Sequence, residues 1–324
     1  MKATPPSFTA FHNEENLVHN MKPRAHEYDK YHSRGFTLER RNRMIQVAGR
    51  PFQPNDSWKT TVTENLIIQA LQNAPDIYSF SSEQGLLFEI KARQNIITSA
   101  KQMEEGKAAF ATFRSAQCNP EYWNLARTGG SLLKRQVSPA EAISDIFNNS
   151  SLYKFECATA CIINFYHGLV LTMGNASFNT LFPNIYLYSW HADDDLGMNS
   201  FFANHYIPGD VVYFNNPDVD PQTPWFRGVN AITMGDDRFF GHGFQIRTEE
   251  KMIEGLNRKR KSDSQQSAYL TSLITRPSYQ PLAGFSTTHS GRTIQKTNPF
   301  LVHHNKTSVS FRHYLFELSY TWKR

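Results

Sequence analysis

Cysteine is scarce in this chain. Three residues, Cys118, Cys157 and Cys161, among 324 cannot build a disulfide framework, which predicts a reducing compartment. Glycine (17) and proline (16) are ordinary, which excludes a collagen-like or proline-rich fibre. Long apolar runs are missing. The longest, Ala158 to Met173, is interrupted by Thr159, Asn164, His167 and Thr172. A membrane-spanning helix needs about 20 mostly apolar residues, so this stretch is expected to be a buried core helix. The first residues, MKATPPSFTAFHNEE, contain no apolar segment of the secretory type. The expectation is a cytoplasmic protein with no membrane partner.

Aromatic residues make up 13% of the chain, with 24 Phe and 14 Tyr, which argues for a packed core and against a disordered polymer. The length suits one large domain or two small ones. The net charge of +5 comes from 34 Lys and Arg against 29 Asp and Glu, and it is unevenly spread. Residues 1–50 carry 9 basic and 5 acidic side chains, and 277–324 carry 6 basic and 1 acidic. The intervening 19 basic and 23 acidic side chains leave residues 51–276 at −4. A mildly acidic core with two basic ends is the expected layout: 1–49, 50–276 and 277–324. Basic ends suit anionic partners, but no nucleic-acid-binding motif accompanies them, so solvated termini are expected and nucleic acid is not an expected partner.

Periodicity places the main elements. LLFEIKARQNIITSAKQM, from Leu86 to Met103, repeats its apolar residues at helical spacing. Ser138-Pro139 before AEAISDIF has the form of a helix start, with Ser138 as N-cap and Glu141 three residues on. A buried helix is expected near 156–172 after the polar break Asn148–Ser151. Strands are expected over Asn184–Trp190, Val211–Phe214, Ala231–Met234 and Phe239–Ile246, the last two joined by Gly235-Asp236-Asp237. Arg258–Lys261 is expected to be a solvated basic face. Ser308 to Trp322 fits a strand or a helix equally.

The chemistry-bearing residues differ in context. Cys118 sits in a loop-like QCNPEYW, and Cys161 lies in the apolar body of the expected helix, where a small hydrophobe is its expected role. Cys157 falls at the first turn, beside Glu156. A thiol there meets the positive end of the helix dipole and free backbone N–H groups, which stabilise thiolate or an oxyanion. Position alone leaves both a nucleophile and a structural cysteine open. Neither cysteine spacing has a zinc pattern. An EF-hand beginning at Asp218 needs Gly sixth and Glu twelfth, where Thr223 and Val229 stand. That segment and His191–Asp195 are therefore expected to be Asx-turn loops. Of 12 histidines many lie in the polar ends, such as His12, His19, His26, His303 and His304. His242 is flanked by Gly241 and Gly243 in FFGHGFQI, open to close approach. A Cys at a helix start with a His on a later strand is a thiol-enzyme arrangement. A histidine satisfied within the sheet is the alternative.

FATFRSAQCNPEYW, SPAEAISDI, YKFECATA, PGDVVYFNNPDVDP, FRGVN, MGDDRFFGHG and QSAYLTSLITR, in this order over roughly 50–276, resemble the bacterial protein-glutamine gamma-glutamyltransferases, the Bacillus-type spore-coat transglutaminases. The resemblance implies an α+β fold with a papain-like cysteine-enzyme core, similar to compact cell-wall cysteine peptidases, and N- and C-terminal extensions. It implies cross-linking of protein glutamine to protein lysine through a Cys157 thioester, with Glu156 and His242 as catalytic partners and no metal or other cofactor. Protein substrates are the implied partners; the oligomeric state is not implied. It also implies a spore-coat setting if the host sporulates. The family's second acid, in R-G-E-N, is replaced here in Arg227-Gly228-Val229-Asn230. The gap-free match predicts that position 229 faces the thiol. Two alternatives accompany this reading. One is a thiol amidase or peptidase on the same fold; the other is a weakly active or non-catalytic homologue.

Overall fold

The computed structural model describes residues 45–54, 58–287, 301–304 and 309–321. The basic segment 1–44, with His12, His19 and His26, lies outside the described residues, as do Ser308 and Trp322. Short strands come first along the chain: β1 (Ile45–Val47), β2 (Arg50–Pro51), β3 (Tyr78–Phe80), β4 (Ala109–Phe110), β5 (Trp123–Leu125), β6 (Ser131–Leu133), β7 (Lys154–Phe155) and β8 (Tyr186–Leu187). Longer ones follow: β9 (Asn199–Phe202), β10 (Val211–Asn215), β11 (Gly228–Gly235), β12 (Arg238–Gly241), β13 (Gln245–Thr248) and β14 (Tyr269–Arg276). The last six form one antiparallel sheet in the order β13-β12-β11-β10-β14-β9. Helix and sheet are thus mixed, in agreement with the α+β expectation.

Local chemistry sets the helix starts. Thr61 and Glu64 form a reciprocal capping box ahead of helix Val62–Asn73. Ser82 accepts from Gly85 N ahead of helix Glu83–Glu105, and Ser138 accepts from Glu141 N ahead of Pro139–Asn148, as its sequence predicts. The buried helix runs Cys157–Leu181, longer than expected, with non-helical geometry at Gly174 (φ 77°, ψ 163°). It is the one helix among the described residues long and apolar enough to cross a membrane, but 78% of that apolar window is buried inside the protein. Its place is the core. The undecided tail is a helix over Phe311–Thr321. Helices Val62–Asn73 and Tyr279–Thr287 and strands β9 and β14 were not singled out by periodicity.

The Cys157 helix lies against helix Glu83–Glu105 and against β11. A Cβ at Gly168 would come within 2.6 Å of Ile96 Cγ1 and 2.9 Å of its backbone N, so glycine is what lets the two helices approach. A buried ion cluster ties the second helix to the sheet: Arg93 bonds Asp210 at 2.8 Å and Glu89 at 2.8 Å, and Arg276 bonds Asp210 at 2.6 Å. The sheet divides the apolar interior. Ile232 and Met234 of β11 join the main core with the helices, while Val229 and Ala231 point to the other face, among Val212, Phe214, Phe239 and Met252.

Candidate active site

Parallel pairing of β7 with β4 delivers the chain to the start of the cysteine helix, with Ala111 N donating to Phe155 O at 2.9 Å. Glu156 has extended geometry and is the N-cap. Its carboxylate accepts from Ala158 N (2.8 Å), Thr159 N (2.6 Å) and Thr159 Oγ1 (2.8 Å), and the Cys157 thiol hydrogen-bonds to it as well. Both residues are 1% exposed. Burial raises the carboxyl pKa of Glu156, and these hydrogen bonds oppose the rise. The sequence reading assigned backbone N–H groups at the helix start to an oxyanion. Those of Ala158 and Thr159 are already held by Glu156.

Opposite the thiol stands β11. Asn230 Nδ2 donates to Cys157 Sγ at 3.5 Å and to the backbone carbonyl of Val309 at 2.9 Å. Its cross-strand neighbour Tyr213 shares that face; burial raises its pKa first and the nearby Cys157 second. Because side chains alternate along a strand, Val229 faces away. Its Cγ1 packs toward Gly241 and its neighbours are Met252 and Phe214. The expectation that position 229 projects toward the thiol is therefore corrected: Asn230, one residue on, fills that place.

His242 follows β12 and lies on the same side as Asn230. Its ring stacks on Phe155 (centroids 4.7 Å apart, 26°) and tilts against Phe110 at 6.3 Å. Gly243 has φ +85°, and a Cβ there would stand 2.9 Å from Phe110 Cβ, so glycine permits the close packing around the ring. The imidazole bonds to the backbone of Ala109, and burial lowers its pKa to about 4. Its Nε2 is buried with no hydrogen-bond partner among the described residues. The structure brings Glu156 and Cys157 together at the helix start, whereas His242 is joined to that element through Phe155, on which its ring stacks.

Cys161 is buried in the main core, and its Sγ contacts Asn230 O at 3.8 Å. Cys118 is half-buried beside β7, in keeping with its loop reading. The acidic loops contain Asx turns, Asp193 accepting from Asp195 N at 3.0 Å and Asp220 from Gln222 N at 2.8 Å. Among the described residues no group of three or more His, Cys, Asp or Glu could hold a metal ion.

Trp190 is 1% exposed and donates Nε1–H to Val309 O at 2.8 Å. Trp225 packs on Phe226. The C-terminal segment that carries Val309 crosses the site. Phe311 packs on Trp190 at 5.4 Å, and Tyr188 OH donates to His304 O (2.6 Å) while accepting from His304 N (2.8 Å). Sequence reasoning did not find Asn230 or Tyr213. The available signal was alternation: once FRGVN is a strand, residues 229 and 230 cannot face the same way.

Comparison with known proteins gives a consistent picture. The family profile described as protein-glutamine gamma-glutamyltransferase matches residues 44–286. A protein-glutamine gamma-glutamyltransferase of Halalkalibacterium halodurans is 45% identical over 281 residues, covering 86% of this chain and 99% of the relative. One from Bacillus mycoides is 39% identical over 226 residues, covering 70% of this chain and 82% of the relative. The solved structure of a transglutaminase from Geobacillus stearothermophilus, without its C-terminal extension, superposes with a TM-score of 0.62 at 44% identity, covering 64% of this chain and all of that one.

Proposed function

This chain belongs to the protein-glutamine gamma-glutamyltransferase family, and on that premise we propose that it joins protein glutamine to protein lysine through a thioester on Cys157. The single observation that carries the assignment is the thiol at the first turn of a buried helix, hydrogen-bonded to the Glu156 carboxyl.

Glu156 takes the thiol proton, and sulfur attacks the γ-carboxamide carbon of glutamine. The C–N bond breaks, ammonia leaves with a proton returned from the carboxyl, and a thioester remains. A lysine amine then attacks the thioester carbon and gives its surplus proton to Glu156. The C–S bond breaks, and the thiolate recovers its proton as the isopeptide forms. Burial raises the Glu156 carboxyl pKa, and a carboxyl shifted in that direction is a stronger proton acceptor than a free carboxylate, which suits this exchange. His242, whose pKa burial lowers to about 4, is proposed as the third member of the site. Its Nε2 has no hydrogen-bond partner among the described residues, so it shares the proton only once substrate or a bridging water joins it to Glu156. Water competes with lysine for the thioester, and the 1% exposure of Cys157 supports its exclusion.

A papain-like description of the core is supported by the Cys-bearing helix start packed on an antiparallel sheet that leads to His242. A catalytic core near 50–276 is proposed, with 1–49 and 277–324 as extensions. The family match over 44–286 runs past its end, and Tyr279, Leu282, Val309, Phe311 and Tyr314 pack into the main core, so the C-terminal extension is part of the folded body. The reaction is proposed to need no calcium. A cytoplasmic setting is proposed, and a place in the spore coat if the host sporulates, on the resemblance to spore-coat enzymes. The decisive assay is incorporation of a fluorescent primary amine into casein by the full chain. Incorporation that Cys157→Ala abolishes and a calcium chelator leaves unchanged is expected. Incorporation surviving in Cys157→Ala would overturn the nucleophile, and dependence on calcium would overturn the cofactor assignment. Cleavage of casein without amine transfer would favour the thiol hydrolase.

A further inference from the structure

We propose that Asn230 and Trp190 form the cradle for the glutamine carboxamide oxygen, and that the C-terminal segment closes the site by placing its own Val309 carbonyl there as a pseudosubstrate. The inference rests on the transferase reading above and extends it to the acyl-donor subsite.

Three observations converge. First, one backbone carbonyl is held by two side-chain N–H donors from different parts of the fold, Asn230 Nδ2 at 2.9 Å and Trp190 Nε1 at 2.8 Å. Two donors converging on one oxygen beside a thiol are the geometry that stabilises an oxyanion. Second, Asn230 Nδ2 is also 3.5 Å from Cys157 Sγ. An oxygen in the cradle is therefore next to the sulfur that attacks its carbon. Third, Glu156 already holds the amides of Ala158 and Thr159, so an oxyanion needs donors other than these two. Trp190 is 1% exposed and Asn230 is 1% exposed. A side-chain donor pair in so dry a place is worth more than the same pair in water.

The segment is anchored as a pseudosubstrate requires. Val309, Phe311 and Tyr314 are buried in the main core. On the upstream side, His304 is tied by two backbone bonds to Tyr188 OH and by its Nε2 to Ser189 Oγ at 3.0 Å, and its ring stands edge-on to Phe113 at 5.5 Å. Arg312 lies over the Phe202 ring at 4.6 Å. These contacts fix the carbonyl of Val309 in place. A backbone amide is a poor acyl donor here, because its nitrogen is part of the chain and does not leave as ammonia. A glutamine substrate displaces the segment and presents the same C=O with a free NH₂. An arriving glutamine-bearing protein thus competes with a covalently tethered ligand, which lowers its apparent affinity by the closed fraction.

The test uses the full-length chain. Tyr188→Phe combined with Phe311→Ala loosens the segment and leaves both donors in place. Iodoacetamide labelling of Cys157 is expected to accelerate at least about tenfold, since a larger open fraction exposes the thiol. Amine incorporation at low casein concentration is expected to rise by a similar factor, and a synthetic peptide of residues 301–321 added in trans should reverse both. On that loosened background, Asn230→Ala or Trp190→Phe should lower kcat about 10²–10³-fold with little change in KM. Labelling, which forms no oxyanion, should stay within about threefold of the loosened parent. Thermal melting checks that each variant is folded; Trp190→Phe retains the ring, so it serves if Asn230→Ala does not fold. Unchanged labelling in the loosened chain would overturn closure by the segment. Equal loss of labelling and transfer in the donor variants would overturn the cradle, leaving them as groups that merely position sulfur. Fast labelling with no amine transfer in the loosened chain would instead overturn the transferase reading, so the two failures are distinct.

Discussion

Asn230 and Cys157 meet across the seam between β11 and the buried helix, carboxamide nitrogen to sulfur at 3.5 Å. That single contact fixes which face of β11 belongs to the site. It also turns its neighbour Val229 into the opposite core.

Cys157→Ala is expected to abolish amine incorporation, whereas Cys118→Ala and Cys161→Ala retain it. Cys161 is a core residue, so its replacement should lower stability by about 1 kcal/mol through lost packing while transfer continues. Assays at matched folded fraction separate the two effects. A Cys161→Ala protein that is folded and inactive would contradict the assignment.

Glu156→Gln removes the proposed proton acceptor and weakens the helix cap together, since both carboxylate oxygens accept from the first turn. The rate should fall about 10²–10⁴-fold and stability by about 1 kcal/mol. Paired rate and melting measurements check both. Activity within about threefold of wild type would place the base elsewhere, with His242 the first to examine.

Val229→Glu is the substitution on which sequence and structure disagree. A gap-free family match alone expects the restored acid to raise the rate. In the structure the new carboxylate enters the cluster of Phe214, Phe239 and Met252. Burying it there costs several kcal/mol unless it stays protonated. The expected outcome is a lower melting temperature with no gain in rate. A faster Val229→Glu enzyme of unchanged stability would show that this side chain does reach the thiol.

Asp210→Asn should be strongly destabilising. Asp210 is fully buried and bonds both Arg93 and Arg276. Removing its charge leaves two guanidinium groups short of their partner, with an effect of about 3–5 kcal/mol. Chemical denaturation should show the midpoint shift with no change in slope. A shift below about 1 kcal/mol would mean that the cluster relaxes into water.

Acid should weaken the fold over a definite window. Burial lowers the pKa values of His167, His191 and His242 to about 4, against about 6.5 for an unfolded histidine. The unfolded chain therefore binds more protons as pH falls from about 6.5 to about 4, and stability declines across that interval. Above about 6.5 these groups contribute no slope. Melting temperature against pH reads this directly. His167→Phe, which keeps a ring against Phe147, should flatten part of the decline. A level curve between those limits would contradict the buried neutral state.

Much of the site was legible in the chain. Glu156-Cys157 at a helix start follows from a polar break ahead of an apolar run, a local pattern with a local cause. Ser138-Pro139 and the turn Gly235-Asp236-Asp237 were likewise readable, since caps and turns are decided within a few residues. The tail was not: Ser308 to Trp322 satisfies two periods, and only packing of Val309, Phe311 and Tyr314 on the core selects the helix Phe311–Thr321. Strand β14 was missed although its residues lie within a quoted motif, because a fully paired interior strand need not alternate.

The sequence by itself determined the setting of Cys157, the family resemblance and the apolar character of the Cys157 helix, all encoded in contiguous residues. Only the tertiary structure decided which partners meet the thiol. Whether Val229 or Asn230 faces Cys157 depends on strand register, where one residue exchanges the two faces. That Trp190 and Asn230 converge on the carbonyl of Val309 depends on contacts 119 and 79 residues apart in the chain. No local pattern carries such a meeting, because it is packing over the whole core that brings those donors to one oxygen.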